Sequence, residues 1–306
     1  MTTTNSPLSA SAKTWGMLIL LGALWGGSFF FARIAVKEIP PLWLVFFRVS
    51  IAALALHLYL LTSGKWQKFR AQPFLPFFGL GLLNNAIPFS LIFFGQTVLG
   101  AGLASILNAT TPFLTVIAAT LLTKDEKANS AKVIGILIGM VGAATIVGSS
   151  ALTGLGAPLW AQVAVVGAAL SYALASIYAK RFKGVPPLVT ATGQLSTSTI
   201  IMLPLALYVS GVPAIASWHL PVWGAVIALA LASTAFAYTL FFRIVAEAGA
   251  TFVSLVTLVV PASAVLLGTL FLGETLTGQE IFGMALIAIG LFVTNGLSYL
   301  ESRPKP

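Results

Sequence analysis

The chain has 306 residues, of which 58% are hydrophobic and only 8% are charged, and its formal net charge is +9. Soluble domains carry about a quarter charged residues, so this composition excludes a water-soluble globular protein and predicts an all-α membrane protein. The sequence contains no cysteine, which excludes disulfides, thiolate metal sites and cysteine nucleophiles.

Apolar stretches follow one another along the chain, and many are long enough to cross a bilayer, which takes about 20 apolar residues. The first, from Trp15 to Val36, is too long for the hydrophobic region of a signal peptide, so no cleavable signal is expected. Turn residues or charges separate the stretches, except at Leu99-Gly100, where the boundary is weakly marked. The predicted spans are residues 14–36, 42–62, 74–98, 100–122, 131–149, 158–180, 188–209, 220–246, 250–272 and 278–299.

The distribution of basic residues predicts the orientation of these spans. With the N-terminus in the cytoplasm, 13 of the 16 basic residues fall on the inner side, namely Lys13, Lys65, Lys68, Arg70, Lys124, Lys127, Lys132, Lys180, Arg181, Lys183, Arg243, Arg303 and Lys305. The outer half holds Arg33, Lys37 and Arg48. This bias follows the positive-inside rule, and an error of one span would destroy it. We therefore expect ten transmembrane helices in the cell membrane, with both termini in the cytoplasm.

The sequence also contains an internal repeat. A shift of 149 residues places Gly100-Ala101 on Gly249-Ala250, Ser105 on Ser254, Pro112 on Pro261, Thr120-Leu121 on Thr269-Leu270 and Asp125 on Glu274. Nearby shifts align Pro40-Pro41 with Pro186-Pro187, and Gly135 and Gly142 with Gly283 and Gly290. Matched Pro, Gly and Ser indicate duplication more strongly than matched Leu or Val would. With five helices in each half, 1–153 and 154–306, the second half enters the membrane from the opposite side, as in many secondary transporters.

Four stretches carry a family resemblance: Ala23 to Phe29, Gly100 to Ser105 followed by Thr111-Pro112-Phe113, Pro261 to Glu274, and the glycine-spaced last helix of each half. Together they resemble the EamA-type ten-helix exporters of the drug/metabolite transporter superfamily, and most closely its aromatic amino acid exporters. One departure is Asp125, where the family usually has Glu. The resemblance implies a central cavity lined mainly by helices one, three, four, six, eight and nine. It also implies export or facilitated diffusion of amino acids, other metabolites or drugs.

Three predicted helices contain a proline near mid-span, namely Pro88, Pro112 and Pro261. Proline lacks an N–H and frees the carbonyl four residues earlier, which in a membrane needs another partner or a cavity. The residues four positions earlier are polar: Asn84, Asn108 and Thr257. Polar side chains at membrane depth usually face the bundle interior or a water-filled cavity. We therefore expect these prolines to kink their helices beside a substrate site.

Further polar and aromatic side chains extend this expected site. Asn85 and Phe89 fall on Thr234 and Tyr238 at the 149 shift, and Thr111 follows Asn108 on the fourth helix. The first and sixth helices add Trp25, Ser28 and Tyr172. The alternative for each residue is interhelical hydrogen bonding or packing. As a set, they are predicted to bind substrate.

The remaining charged and titratable residues bear on the mechanism. His57 is interpreted as a structural hydrogen-bonding residue rather than a proton relay. Arg33 and Arg48 are interpreted as snorkelling to the interface rather than drawing carboxylates into an outer vestibule. No basic residue is expected at mid-depth, which disfavours phosphorylated substrates. No Asp or Glu lies near mid-span, which favours facilitated diffusion or coupling through an unobvious group.

These observations predict a secondary transporter that exports small neutral or zwitterionic metabolites by alternating access, with amino acids, especially aromatic ones, as substrates. An organic-cation or multidrug exporter is the alternative, since aromatic faces and free carbonyls also suit cations. A membrane enzyme or a channel is less expected, because Gly-x-Ser-x-Gly, His-Glu-x-x-His and potassium-filter motifs are absent. We expect no catalytic residue, metal, cofactor or nucleic-acid partner. The protein is expected to act as a monomer in the lipid bilayer.

Overall fold

The computed structural model describes residues 11–123, 130–153 and 157–296. These residues form helices and no strand. The long helices in chain order are α1 (Ala12–Ala35), α2 (Pro41–Thr62), α3 (Leu75–Gln96), α4 (Ala101–Leu122), α5 (Ser130–Thr153), α6 (Leu159–Ala179), α7 (Pro187–Ser210), α8 (Leu220–Gly249), α9 (Val256–Leu272) and α10 (Gly278–Leu291). A short helix, Trp66–Arg70, joins α2 to α3.

The described helices include seven that are long and apolar enough to cross a membrane, and three shorter apolar ones, at Lys132–Val147, Val256–Leu272 and Gly278–Thr294. The all-helical membrane fold is therefore confirmed. The count of ten spans and the inverted repeat stay predictions.

Two helices are locally wound as π-helix, where each N–H bonds five residues back. In α3 this segment is Leu82–Ala86, and the Ile87 N–H bonds the Leu82 carbonyl. Since Pro88 has no N–H either, the Leu83 carbonyl loses its helical donor, and the Ser171 hydroxyl of α6 donates to it at 2.7 Å. Irregular winding near Pro88 thus ties α3 to α6.

The corresponding stretch of α8, Ala228–Phe236, is also π-helical. There the Thr234 hydroxyl donates to the Leu229 carbonyl of the same helix at 2.7 Å. This bond satisfies a backbone acceptor inside the membrane and fixes the orientation of the hydroxyl, which contributes to the site described below.

Glycines allow two helix pairs to approach closely. A Cβ on Gly26 of α1 would lie 2.7 Å from the Val260 carbonyl oxygen of α9, and a Cβ on Gly142 of α5 would lie 2.7 Å from the Gly283 carbonyl oxygen of α10. In membranes such small residues bring backbones together and make dispersion contacts possible. These glycines therefore fix the α1–α9 and α5–α10 pairs.

The other helices surround a central space. α3 packs on α6 and α7, α8 packs on α1 and α2, and α2 also packs on α7. The described residues of α5 and α10 contribute nothing to the wall of this space. The two halves of the chain therefore meet around the space, with the α5–α10 pair set to one side.

Candidate functional site

A cavity of about 580 Å³ occupies the central space. This volume lies in the range of about 300–1,000 Å³ that is usual for small-molecule sites. Of the predicted residues, Trp25, Ser28, Asn84, Phe89, Asn108, Thr111, Tyr172, Thr234, Tyr238, Thr257, Pro112 and Pro261 line it. The structure thus brings together residues from distant parts of the sequence, while their role in substrate binding stays a prediction.

Two predicted residues, Asn85 and Pro88, do not line the cavity. Asn85 is fully buried, and its Nδ2 donates to Ser198 Oγ at 3.1 Å, so it joins α3 to α7. Pro88 stands at the start of the regular helical segment Ile87–Gln96, directly after the π-helical turn. Both residues therefore affect the conformation and packing of α3 without lining the cavity themselves.

A hydrogen-bonded group joins three helices at the cavity wall. Asn84 Nδ2 of α3 lies 3.1 Å from Gln194 Oε1 of α7 and 3.3 Å from the Tyr238 hydroxyl of α8. Gln194 was not predicted from the sequence, and α2 and α7 contribute to the wall although they are not among the helices expected to line most of it. A signal existed: the register that aligns Pro40-Pro41 with Pro186-Pro187 also aligns Arg48 with Gln194.

Arg48 lies inside the bundle, against the expectation from the sequence. The residue is only 6% exposed and lines the cavity, so the expectation that it snorkels to the interface is wrong. Its guanidinium carbon lies 3.8 Å from the centroid of the Phe89 ring, and its Nε donates to Thr234 Oγ1 at 3.0 Å. The expectation that no basic residue lies deep in the bundle is wrong for the same reason. Position along α2 gives no information on which face turns inward.

Other polar atoms of the cavity wall lack a hydrogen-bond partner among the described residues. These are Ser105 Oγ, Asn108 Oδ1 and Ser233 Oγ. Buried polar atoms are normally paired. These three atoms are shielded from contact with water, so in this conformation they do not face the open space of the cavity.

The cavity extends toward one end of the bundle. Its wall there includes Ala179, Phe182, Val185 and Pro187, which lie at the connection between α6 and α7. The same connection carries Lys180, Arg181 and Lys183. The cavity therefore reaches a strongly basic end of the bundle, at the connection between α6 and α7.

At the other end, a carboxylate binds the N-terminus of α4. The left-handed Gly273 (φ 66°) ends α9 and turns the chain back. Glu274 then accepts from the N–H of Ala101 at 2.7 Å and from that of Gly102 at 3.1 Å. Helix N-termini favour such a negative charge. A Cβ on Gly100 would lie 2.8 Å from the carboxyl carbon, so glycine there gives the carboxylate room.

The central cavity does not reach Glu274 or the N-terminus of α4, so this end of the bundle is called the closed end. Arg33 and Glu38 add contacts there. Arg33 Nη1 donates to the carbonyls of Gln96 and Thr97, at 2.6 and 2.9 Å, so it binds the C-terminal end of α3. That it snorkels to the interface stays a prediction. The Glu38 carboxylate accepts from the His219 backbone N–H at 2.9 Å and pairs with the His219 ring at the same distance. The backbone hydrogen bond holds the pKa of the Glu38 carboxyl below its ordinary value of 4.5.

His57 lies away from the cavity. Its Nδ1 is 2.8 Å from the Ala53 carbonyl oxygen of the preceding helical turn, and its ring packs against Trp66 and Phe69. These contacts agree with a structural role.

Comparison with known proteins identifies the family. The model of the EamA-like transporter family matches residues 13–148 and 159–296. A Bacillus subtilis (strain 168) protein, the uncharacterized transporter YoaV, is 27% identical, with 90% of this chain and 94% of that protein aligned. The uncharacterized inner membrane transporter YedA of Escherichia coli K12 is 26% identical, with 91% and 92% aligned.

Two further comparisons agree. A probable amino-acid metabolite efflux pump of Salmonella typhimurium is 25% identical, with 92% of this chain and 95% of that protein aligned. A solved crystal structure of a protein that is 21% identical superimposes with a TM-score of 0.66, covering 94% of this chain and 97% of the other, and shows a shared fold. The chain therefore belongs to the EamA-like transporter family, and it is a membrane transporter rather than an enzyme.

Proposed function

We propose that this transporter exports small neutral or zwitterionic metabolites, with amino acids and especially aromatic ones as substrates, by alternating access. Ten membrane-spanning helices form two inverted halves, 1–153 and 154–306, and both termini lie in the cytoplasm. The observation that carries the proposal is the central cavity, which lies between helices of both halves and has polar, aromatic and apolar walls.

The packing order supports the inverted halves. We number the helices cyclically, so that α1 follows α10, and replace each helix by the one five places further on. The packed pair α3–α6 then becomes α8–α1, and α3–α7 becomes α8–α2, and both of these pairs are also packed. The pairs α2–α7, α4–α9 and α5–α10 convert into themselves. The π-helical segment Leu82–Ala86 falls within Ala228–Phe236 after the 149 shift. A two-fold relation between halves accounts for all of these agreements.

The charges support an inward-facing conformation. The cavity reaches the connection that carries Lys180 and Arg181, which the positive-inside rule places in the cytoplasm. The opposite end is held shut by Glu274 on α4 and Arg33 on α3. In such a state a cytoplasmic solute enters the cavity, and the rocking of one half against the other then carries it outward.

The cavity lining supports the substrate class. Trp25 and Phe241 lie with ring centroids 5.6 Å apart beside the cavity, and Tyr172 and Tyr238 add aromatic surface. Aromatic side chains of a solute can pack on such rings. The name of the Salmonella relative, an amino-acid metabolite efflux pump, agrees with this class. The alternative of an organic-cation exporter is disfavoured, because the buried guanidinium of Arg48 repels cations.

Flux measurements in proteoliposomes test this proposal. Purified protein is assayed with labelled amino acids, sugars, nucleotide-sugars and cationic dyes. Saturable phenylalanine flux is expected, and it should fall in Asn108→Ala and Tyr238→Ala. Tyr208→Ala is the matched control, because Tyr208 is 91% exposed and does not line the cavity. Activity confined to nucleotide-sugars or dyes, or normal flux in both cavity variants, would contradict the proposal.

A further inference from the structure

Arg48 is held firmly, yet most of its hydrogen-bonding capacity is unused. A guanidinium has five N–H donors. The Nε–H donates to Thr234 Oγ1, and the Phe89 ring lies under the guanidinium plane. Nη1 and Nη2 make no hydrogen bond to any described residue. These two contacts therefore fix the orientation of the planar guanidinium and leave its two terminal nitrogens available to a ligand.

No carboxylate within the described part of the chain neutralises Arg48. The acidic residues in the described part of the chain are Glu38, Glu247, Glu274 and Glu280. They pair respectively with His219, with Arg243, with the N-terminus of α4 and with Thr277 at the start of α10. A charge that is little exposed and has no counter-ion is costly, so an anionic solute in the cavity would interact favourably with this guanidinium.

The geometry of the site favours a carboxylate as that occupant. The two terminal nitrogens of a guanidinium match the two oxygens of a carboxylate and bind them with parallel hydrogen bonds. A phosphate dianion would require a second cation, and Arg48 is the only Lys or Arg among the described residues that line the cavity.

We propose that Arg48 binds the carboxylate of the transported solute and so restricts this transporter to carboxylate-bearing substrates. The inference rests on the proposed function, since it assigns a substrate group to the same cavity. It narrows that function: amines, amides and organic cations with otherwise similar side chains are excluded. The aromatic support under Arg48 fixes the direction of the guanidinium, so Lys cannot replace it fully.

The test compares phenyl-bearing ligands with and without a carboxylate. Equilibrium binding to the purified, detergent-solubilised protein is measured for phenylalanine, phenylalaninamide, 3-phenylpropanoate, 2-phenylethylamine and phenyl phosphate. We expect phenylalanine to bind roughly 10- to 150-fold more tightly than its amide, the range given by charge-assisted hydrogen bonds. Arg48→Gln should abolish this preference, and Arg48→Lys should keep only part of it.

Controls separate recognition from folding and from transport. Arg243→Gln removes an exposed arginine that pairs with Glu247, so it should keep the wild-type preference. If Arg48→Gln does not fold, the preference ratio in Arg48→Lys still tests the inference. An unchanged ratio in a folded Arg48 variant overturns it, and so does tighter binding of phenyl phosphate than of 3-phenylpropanoate. Arg48-dependent binding of 3-phenylpropanoate without flux of any amino acid would uphold this inference and refute the proposed function.

Discussion

The contact between Glu274 and the N-terminus of α4 gives the sharpest prediction about alternating access. The carboxylate accepts two backbone N–H bonds across the closed end, at 2.7 and 3.1 Å. In Glu274→Gln the side-chain carbonyl oxygen can still accept one of these hydrogen bonds. The amide nitrogen is a donor, so it cannot accept the second one. The variant should therefore weaken the closed end and favour the conformation in which that end is open.

The magnitude follows from the bonds that are lost. A hydrogen bond to a charged group contributes about 1.5–3 kcal/mol, and a charge at a helix N-terminus contributes about 0.3–1 kcal/mol. When the end opens, water replaces both bonds to Glu274, so the loss falls on the closed form alone. A net loss of about 2–3 kcal/mol shifts the ratio of the two conformations roughly 30- to 150-fold.

The native chain has no cysteine, so a single introduced thiol reports the shift. Asn108→Cys places a thiol in the cavity wall, and a membrane-impermeant maleimide is applied from either side of oriented vesicles. Labelling from the outer side should rise strongly in Glu274→Gln. Gly268→Ala should act in the same direction, because its Cβ would overlap Glu274 Oε2.

Glu280→Gln is the matched control. Glu274 and Glu280 both line a second, smaller cavity of about 270 Å³ at the closed end. The Glu280 carboxylate, however, bonds only within its own helix cap, to Thr277. Outer labelling should stay within about twofold of wild type, because a local cap does not couple the halves. Equal labelling in Glu274→Gln and Glu280→Gln, with both variants folded, would refute the reasoning about the closed end.

Two further predictions concern the fold. Gly142→Leu should lower the thermal unfolding midpoint in detergent, because the new side chain separates α5 from α10 at Gly283, and such overpacking costs about 1–3 kcal/mol. Gly16→Leu is the control and should not lower it, because nothing lies within 4 Å of a Cβ at Gly16. Glu38→Gln should be less stable than wild type at pH 7. The pKa of the Glu38 carboxyl is lower in the folded protein than its ordinary value of 4.5, so the ionised carboxylate stabilises the fold at pH values above 4.5. This difference should vanish as the pH falls through the lowered pKa, and a difference that persists at pH 2 would contradict the role of the His219 contact.

Much of the cavity could be predicted from residue type alone. In a membrane, amides and hydroxyls such as Asn108 and Thr257 have few stable positions other than the bundle interior. Their place near Pro112 and Pro261 added a local reason for an irregular helix. Both observations are properties of single helices, which is why the sequence sufficed to predict them.

The residues that were misplaced depend on relations between helices. Arg48 was expected at the interface because distance along α2 was the only guide to its depth, and its partners Phe89 and Thr234 belong to other helices. For the same reason Gln194 was not singled out, and the contact of Glu274 with α4 was not predicted, since these contacts span more than a hundred residues of sequence. Only a three-dimensional arrangement shows that these groups meet.

The proposed alternating access requires two conformations with similar free energies, and the contacts at the closed end are of a kind that allows this. α1 packs against α4 near that end, while the related pair α6 and α9 makes no comparable contact in the described structure. What closes the end is largely charge on helix ends: Glu274 on backbone N–H groups and Arg33 on carbonyls. When the end opens, water can replace such partners at small net cost, whereas exposing a large apolar surface would cost far more. A carrier needs a few kilocalories per mole between its states, so that a solute can shift the balance. Arg48 lies at the cavity wall rather than at this end, so it can bind the solute while the closing contacts change.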